Sequence, residues 1–234
     1  MTQGRPAPGQ PDDAVAATAV LLRDGARGAE VLLLERPHDR GSFAGAWVFP
    51  GGVVEESDAA PAPAGTDPEL AAAAVAAARE TFEETGLVVA EGELVPTACW
   101  IPPQGVAKRL RTWFFLARAP QGDILLSPQE SVAFCWLRPA DALSRHAEGV
   151  LRLFPPTWVT LHGLIGIDSV SDAVHRARDG SVQRFVSRFA ADRRTIYWQP
   201  DVAYDDDERA GDPGARHRLL MGELPWSYEV DPPR

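Results

Sequence analysis

The sequence predicts an α/β fold, an α/β/α sandwich around a mixed β-sheet with a C-terminal extension. Three observations carry this expectation: short β-branched and aromatic runs before and after residues 67–85, one long alanine-rich helix between them, and three short helical patterns after the last of those runs. At 234 residues the chain exceeds a usual single domain and falls short of two comfortable ones, so one core with additions is expected.

Taken in order, residues 1–13 are rich in Pro, Gly and polar groups and read as a disordered tail. AVAATAVLLR (14–23) and EVLLLER (30–36), separated by the turn-like DGARG, read as a hairpin that opens the domain. WVFPGG follows as a strand ending in a flexible turn, and AAPAPAGT as a Pro/Ala loop. Asp67 and Pro68 then supply an N-cap and a first-turn proline, and Gly86 sits where a helix stop belongs, which predicts a helix from Asp67 to Thr85. LVVAEGELVPTACWI, RTWFFLARAP and ESVAFCWL read as strands, and PADALSRHAEG, PPTWVTLHGLIG and SDAVHRARDG as short helices. The expected organisation is a tail over 1–13, a main domain over 14–167 and an extension over 168–234 that either builds a homodimer interface or covers a pocket of the main domain.

Composition excludes several classes. With 45% hydrophobic and 24% charged residues the chain is of ordinary globular type. The net charge of -10, from 33 acidic and 23 basic residues, repels nucleic-acid backbones and anionic membranes, and an acidic protein that handles phosphates needs a cation at its site. Cys99 and Cys135 form no CxxC pair, so neither a disulfide framework nor a zinc site is expected. The start lacks the basic and apolar regions of a secretory signal, and no apolar run approaches a membrane span of about 20 residues, so a soluble cytoplasmic protein is expected.

The chemistry concentrates on the central helix. Glu80, Glu83 and Glu84 stand at i, i+3 and i+4 and share one face within roughly a 100° arc. Ala71, Val75, Ala78 and Phe82 are expected to form the opposite, apolar stripe, leaving the helix buried on one side and acidic on the other. Clustered carboxylates repel one another and, near a helix C-terminus, oppose the macrodipole. Hard divalent cations, or Arg79, would relieve them.

At these residues the chain resembles the Nudix hydrolase superfamily. Its box runs glycine, five residues, glutamate, seven residues, then Arg-Glu-aliphatic-any-Glu-Glu-any-Gly-aliphatic. Arg79-Glu80-Thr81-Phe82-Glu83-Glu84-Thr85-Gly86-Leu87 matches the second half at every fixed charged or glycine position, and Phe49-Pro50-Gly51-Gly52 resembles the entry turn. Two departures stand out. Five residues after Gly52 comes Asp58 rather than glutamate, and twenty residues rather than seven separate it from Arg79, while Thr81 replaces the usual aliphatic residue. Either Asp58 or Glu69 then takes the place of the first box acid.

The resemblance implies a metal-dependent hydrolase of a nucleoside diphosphate derivative, using Mg2+ or Mn2+. It implies Glu80, Glu83, Glu84 and the Gly51 carbonyl as metal ligands, Glu80 also as a water-orienting group, and Arg79 as a carboxylate-positioning residue. Glu130, before a late strand, is the candidate for a further ligand or base. The long box, the VFPGG entry and the LFPPTW segment are similar to a branch that includes coenzyme A diphosphatases, which makes coenzyme A or an acyl derivative the first substrate expectation. The alternative is a nucleotide-binding regulatory module that does not hydrolyse its ligand. Arg36, Lys108, Arg109 and Arg111 are further candidates for phosphate contacts, and Phe43, Trp47, Trp100 and Trp113 for base stacking, each balanced by an ordinary surface or core role. The run Asp205 to Glu208 reads as a solvated loop, and the five histidines show no ligand spacing.

Overall fold

Alternation along three central strands divides the core in two. The computed structural model describes residues 14–39, 43–59, 65–106 and 109–231; the expected tail, most of the Pro/Ala loop and Lys108 lie outside them. In β1 (Ala14–Gly25), β2 (Gly28–Glu35) and β6 (Leu110–Arg118), residues Ala17, Ala19, Leu21, Leu32, Leu34, Phe115 and Ala117 face one layer. Their neighbours Val20, Leu22, Val31, Leu33, Phe114 and Leu116 face the other. The period of two thus gives one sheet two buried faces.

The first layer is α1 (Pro68–Thr85), whose Ala73, Ala76 and Ala77 are fully buried and let the helix lie close to the sheet. The helix starts as expected: the Asp67 side chain accepts from the Glu69 amide at 3.0 Å and Pro68 occupies the first turn. It stops at Gly86, whose φ of 73° is cheap only for glycine and whose N–H donates to the Phe82 carbonyl at 2.7 Å. The second layer is α2 (Pro139–Ala147), α3 (Pro155–Gly163) and α4 (Val170–Asp179).

The main sheet runs β3 (Trp47–Val48), β2, β1, β6, β5 (Val95–Ile101), β8 (Gln183–Val186), with β4 (Gly51–Val53) paired to β1 and β7 (Ala133–Leu137) paired to β2. Of the segment expected as a strand from Leu87, only Val95 onward is one; Leu87 and Val89 instead bury their side chains from a loop under α1. β1 pairs with β6 in parallel from Ala14 to Leu22, but its other edge is shared. Leu22 to Gly25 pair with β2, whereas Ala16 to Thr18 pair with β4, and between them the Ala19 amide donates to the Pro50 carbonyl at 2.9 Å. This fork sets the Gly51–Gly52 turn beside the end of α1.

α4 and β8 join the main body, α4 through Val170 and Ala173 in the core and β8 as a parallel partner of β5. A second, antiparallel sheet then follows: β9 (Arg188–Phe189), β10 (Thr195–Tyr197), β11 (His217–Leu220) and β12 (Ser227–Val230). Aromatic contacts fasten it to the body. Trp100 and Phe185 stack at 3.8 Å with Trp198 edge-on to both, and Trp158 of α3 meets Trp226 and Tyr228.

Three histidines sit in these contacts. His146 donates through Nδ1 to the Leu151 carbonyl (2.9 Å) and meets Trp226 edge-on, His162 stacks on Trp158, and His217 lies 2.9 Å from both the Gln199 carbonyl and the Tyr228 hydroxyl. Burial holds all three imidazoles below the ordinary histidine range, against the carbonyls at His146 and His217 and the charge of Asp201 at His217. A histidine that resists protonation in the folded state contributes stability that is complete above about pH 6.5 and is lost as pH falls below it. Thermal stability is therefore expected to drop between pH 7 and pH 5, and the drop to be shallower in His162→Phe, which keeps the stack and removes the titration. Parallel melting curves for the two proteins exclude this account if the slopes coincide.

Candidate active site

The acidic patch of α1 continues the buried stripe of the helix instead of opposing it. Ala73, Ala77, Glu80, Thr81 and Glu84 follow one another along the face turned to the sheet, and Phe82, expected in an apolar stripe with Ala71, Val75 and Ala78, is 55% exposed. Of the expected stripe, Ala78 packs against the core under the sheet, whereas Phe82 faces away from it. The alanines that pack against the sheet are Ala73, Ala76 and Ala77, and Thr81 extends them because its hydroxyl is satisfied within the helix by the Ala77 carbonyl at 2.7 Å. A buried threonine therefore serves where an aliphatic residue is usual.

Glu84 is the consequence. Only 2% exposed, it accepts from the Gly51 amide at 3.0 Å and from Arg36 at 2.8 Å. Burial pushes its carboxyl up to about 7; Gly51 and Arg36 oppose that shift, and the charges of Glu80 and Glu130 add to it. Glu80 is likewise raised by burial, against Arg79, with Glu83 and Glu130 adding repulsion. Glu83 is half exposed.

Arg79 organises these carboxylates. It donates to Glu80 at 3.0 Å, to Glu83 at 3.1 Å and to the Val53 carbonyl at 3.0 Å, and its Nε and one terminal nitrogen form a two-pronged pair with Asp58, each at 2.9 Å. Asp58 is 2% exposed, and Arg79 holds its carboxyl below the usual range despite burial. Of the two candidates for the displaced box acid, Asp58 is the one beside Arg79. Glu69 is bound to Arg111 and to the Trp113 indole N–H (2.8 Å) near the start of the helix.

Glu130 reaches the same cluster from far along the chain. The Arg36 guanidinium that pairs with Glu84 also donates to Glu130 at 3.3 Å, and the Glu130 carboxylate is half exposed. Strand pairing explains the meeting: the Val132 amide donates to the Glu35 carbonyl, so the turn before β7 ends beside the residue that carries Arg36. From sequence Arg36 is a candidate phosphate contact or an ordinary surface charge, and no spacing signals its bridge between two carboxylates. Gly52 is also fixed by packing, since a Cβ there would come within 2.2 Å of a Glu80 carboxylate oxygen.

The donors present fit a hard divalent cation: they are all oxygen, they are acidic, and their mutual repulsion is only partly offset by Arg36 and Arg79. Among the described residues no three carboxylates, histidines or cysteines converge as a ready cage; Arg36 bridges Glu84 and Glu130, and Arg79 bridges Glu80 and Glu83.

The remaining candidates are placed elsewhere. Arg109 donates to the Pro102 carbonyl and lines a cleft against the second sheet, Trp100 is core, and Trp47 is partly buried. Asp206 caps a short turn and Asp207 pairs with Arg188, as a structural loop would. His38 and His175 lie beside Glu35 and Asp179. Both cysteines are free, with thiols pushed up by burial.

Comparison with known proteins shows the family of the chain. The family model described as NUDIX domain matches residues 13–155. No curated protein matches the chain. Among solved structures, a NUDIX hydrolase from Alicyclobacillus acidocaldarius is 26% identical, with a TM-score of 0.63, over 71% of this chain and 97% of that one. A MutT NUDIX hydrolase from Burkholderia pseudomallei is 22% identical, with a TM-score of 0.49, over 66% of this chain and 99% of that one. With a family match over more than half its length, and Arg79, Glu80, Glu83 and Glu84 all brought to the fork of a mixed sheet, the chain belongs to the Nudix hydrolase family.

Proposed function

We propose that the protein is a Mg2+-dependent diphosphatase, able also to use Mn2+, that cleaves the diphosphate linkage of a nucleoside diphosphate joined to a second group, with coenzyme A or an acyl derivative as first substrate. The single observation that carries the reading is the cluster of Glu80, Glu84 and Glu130 around Arg36 and Arg79, in which burial raises the carboxyl of Glu84 and the charges of Glu80 and Glu130 add to the rise. Glu80, Glu83, Glu84, Glu130 and the Gly51 carbonyl would hold the cation. Bound there, it neutralises charge on the diphosphate and acidifies a water molecule.

The protein's own groups do the rest. Asp58 fixes Arg79, and Arg79 fixes the orientation of Glu80 and Glu83. The half-exposed Glu130 is the group able to take the proton of a water molecule whose oxygen bonds to phosphorus as the bridging phosphorus–oxygen bond breaks. The bridging oxygen leaves on a phosphate fragment, so two phosphate-bearing products form. The chain between Asp58 and Asp67 is read as an insertion before the helix, where added length costs little.

A panel of coenzyme A, acetyl-coenzyme A, ADP-ribose, a dinucleoside polyphosphate and a sugar nucleotide, each with Mg2+, tests the reading by the masses of the products. Cleavage at the diphosphate of at least one is expected; saturable binding without turnover across the panel would replace the hydrolase with a regulatory module. On a cleaved substrate, Glu130→Gln is expected to lower kcat by about 10²-fold with little change in KM, as a base acting mainly in the transition state requires. Unchanged kinetics with both Mg2+ and Mn2+ would remove Glu130 from the site.

A further inference from the structure

The turn that connects β2 to β3 carries a feature that folding does not explain. Phe43 has a φ of 63°, a left-handed conformation that a bulky side chain adopts at a cost, and its ring is 51% exposed. A residue that is both strained and poorly buried gains little for the fold, and such residues gather at ligand sites. The conformation is nonetheless firmly held. The Ala46 amide donates to the Phe43 carbonyl, the Arg36 amide to the Ala46 carbonyl, the Gly45 amide to the Pro37 carbonyl, and Arg152 to the Ala44 carbonyl.

Around this ring is a second aromatic group. Phe154, at the N-terminus of α3, lies with its centroid 4.7 Å away at 69°, and the Arg152 guanidinium stands 5.4 Å over the Phe154 ring. Two aromatic surfaces and a cation thus meet at the surface of an acidic protein. Phe43 lies in the turn that begins at Arg36, the residue joining Glu84 to Glu130, and Arg152 and Phe154, just before α3, pack against that turn. Ala46 is hydrogen-bonded to Arg36 and stands three residues from Phe43, so at most about 10 Å of chain separates the ring's backbone from that anchor.

We propose that Phe43 and Phe154 form the subsite on which the nucleobase of the diphosphate substrate stacks, with Arg152 donating to the polar part of the same nucleoside. The proposal rests on the hydrolase reading above and deepens it: the carboxylate cluster handles the diphosphate, and this aromatic corner selects substrates that carry a base. An aromatic face accepts any base, so the corner recognises the class and not one nucleotide.

Calorimetric titration with ADP and with inorganic pyrophosphate, both with Mg2+, tests this on the wild-type protein, Phe43→Ala and Phe43→Tyr. Because the Phe43 ring is half exposed, its truncation leaves the core untouched. Wild-type protein is expected to bind ADP more tightly than pyrophosphate. Phe43→Ala should weaken ADP by about tenfold while pyrophosphate is unchanged, and Phe43→Tyr, which keeps the ring, should restore ADP binding. Equal affinity for the two ligands in the wild type, an unchanged ADP affinity in Phe43→Ala, or an equal loss for both ligands overturns the proposal. Failure of the hydrolase reading would look different: the discrimination between ADP and pyrophosphate would persist with no diphosphate cleaved.

Discussion

In Glu84→Gln, kcat with Mg2+ on a cleaved substrate is expected to fall by about 10³-fold while the protein stays folded. Both halves of this expectation follow from the burial of one side chain. Glutamine keeps the length of glutamate and an oxygen that can accept from the Gly51 amide, so the turn at the fork retains its anchor. It also removes a charge whose burial is unfavourable, so unfolding in urea should occur at the same or a higher denaturant concentration. What it takes away is the negative charge of Glu84, the side chain that Arg36 links to Glu130 and that is proposed to hold the cation. Stabilisation of the fold by millimolar Mg2+, expected in the wild type by mass action, should shrink in the variant. Turnover near the wild-type rate at saturating Mg2+ would remove Glu84 from the metal site.

The largest effect on stability is expected in the second sheet, at Asp201→Asn. Asp201 and Arg218 form a pair with side chains 0% and 6% exposed. The aspartate accepts from Arg218 at 2.7 and 2.8 Å and from the amides of Ala203 and His217, and the arginine also donates to the Ala210 carbonyl and lies over the Tyr197 ring. Burial pushes the Asp201 carboxyl up, yet Arg218 and the two amides overcome this and leave it below the usual range. Asparagine would leave the buried guanidinium with only the Ala210 carbonyl and the half-exposed Glu229 at 3.9 Å, and would turn an N–H2 group toward donors. Removing one partner of such a pair costs about 3–5 kcal/mol. Urea unfolding of the full chain reads this directly, and a loss below about 1 kcal/mol would show that water reaches Arg218.

Several parts of this molecule are legible in the sequence alone. The hairpin, the catalytic helix with its Asp67 and Gly86 ends, and the short helices after β7 are local features, fixed by periodicity and capping within one segment. Arg79, Glu80, Glu83 and Glu84 were legible for the same reason, since helical spacing alone puts them together. The side of the helix that would be buried was not legible. Both the stripe through Ala71 and Phe82 and the one through Ala73 and Glu84 fit a helical period in an alanine-rich segment, and only packing against β1 and β6 chose the second.

Long-range pairing decided the rest. Asp58 and Glu69 were equal candidates in the sequence because both precede Arg79; the fold sends Glu69 to Arg111 and Asp58 to Arg79. Glu130 meets Glu84 through Arg36 only because β7 pairs with β2, and Phe43 becomes an exposed partner of Phe154 only because the β2–β3 turn is tied to Arg152. By itself the sequence determined the fold class and the bounds of the acidic helix, because those depend on interactions between residues a few positions apart. The tertiary structure decided which carboxylates share a site and which are buried, because a side chain's environment is set by the distant strand packed against it, and no spacing along the chain encodes that contact.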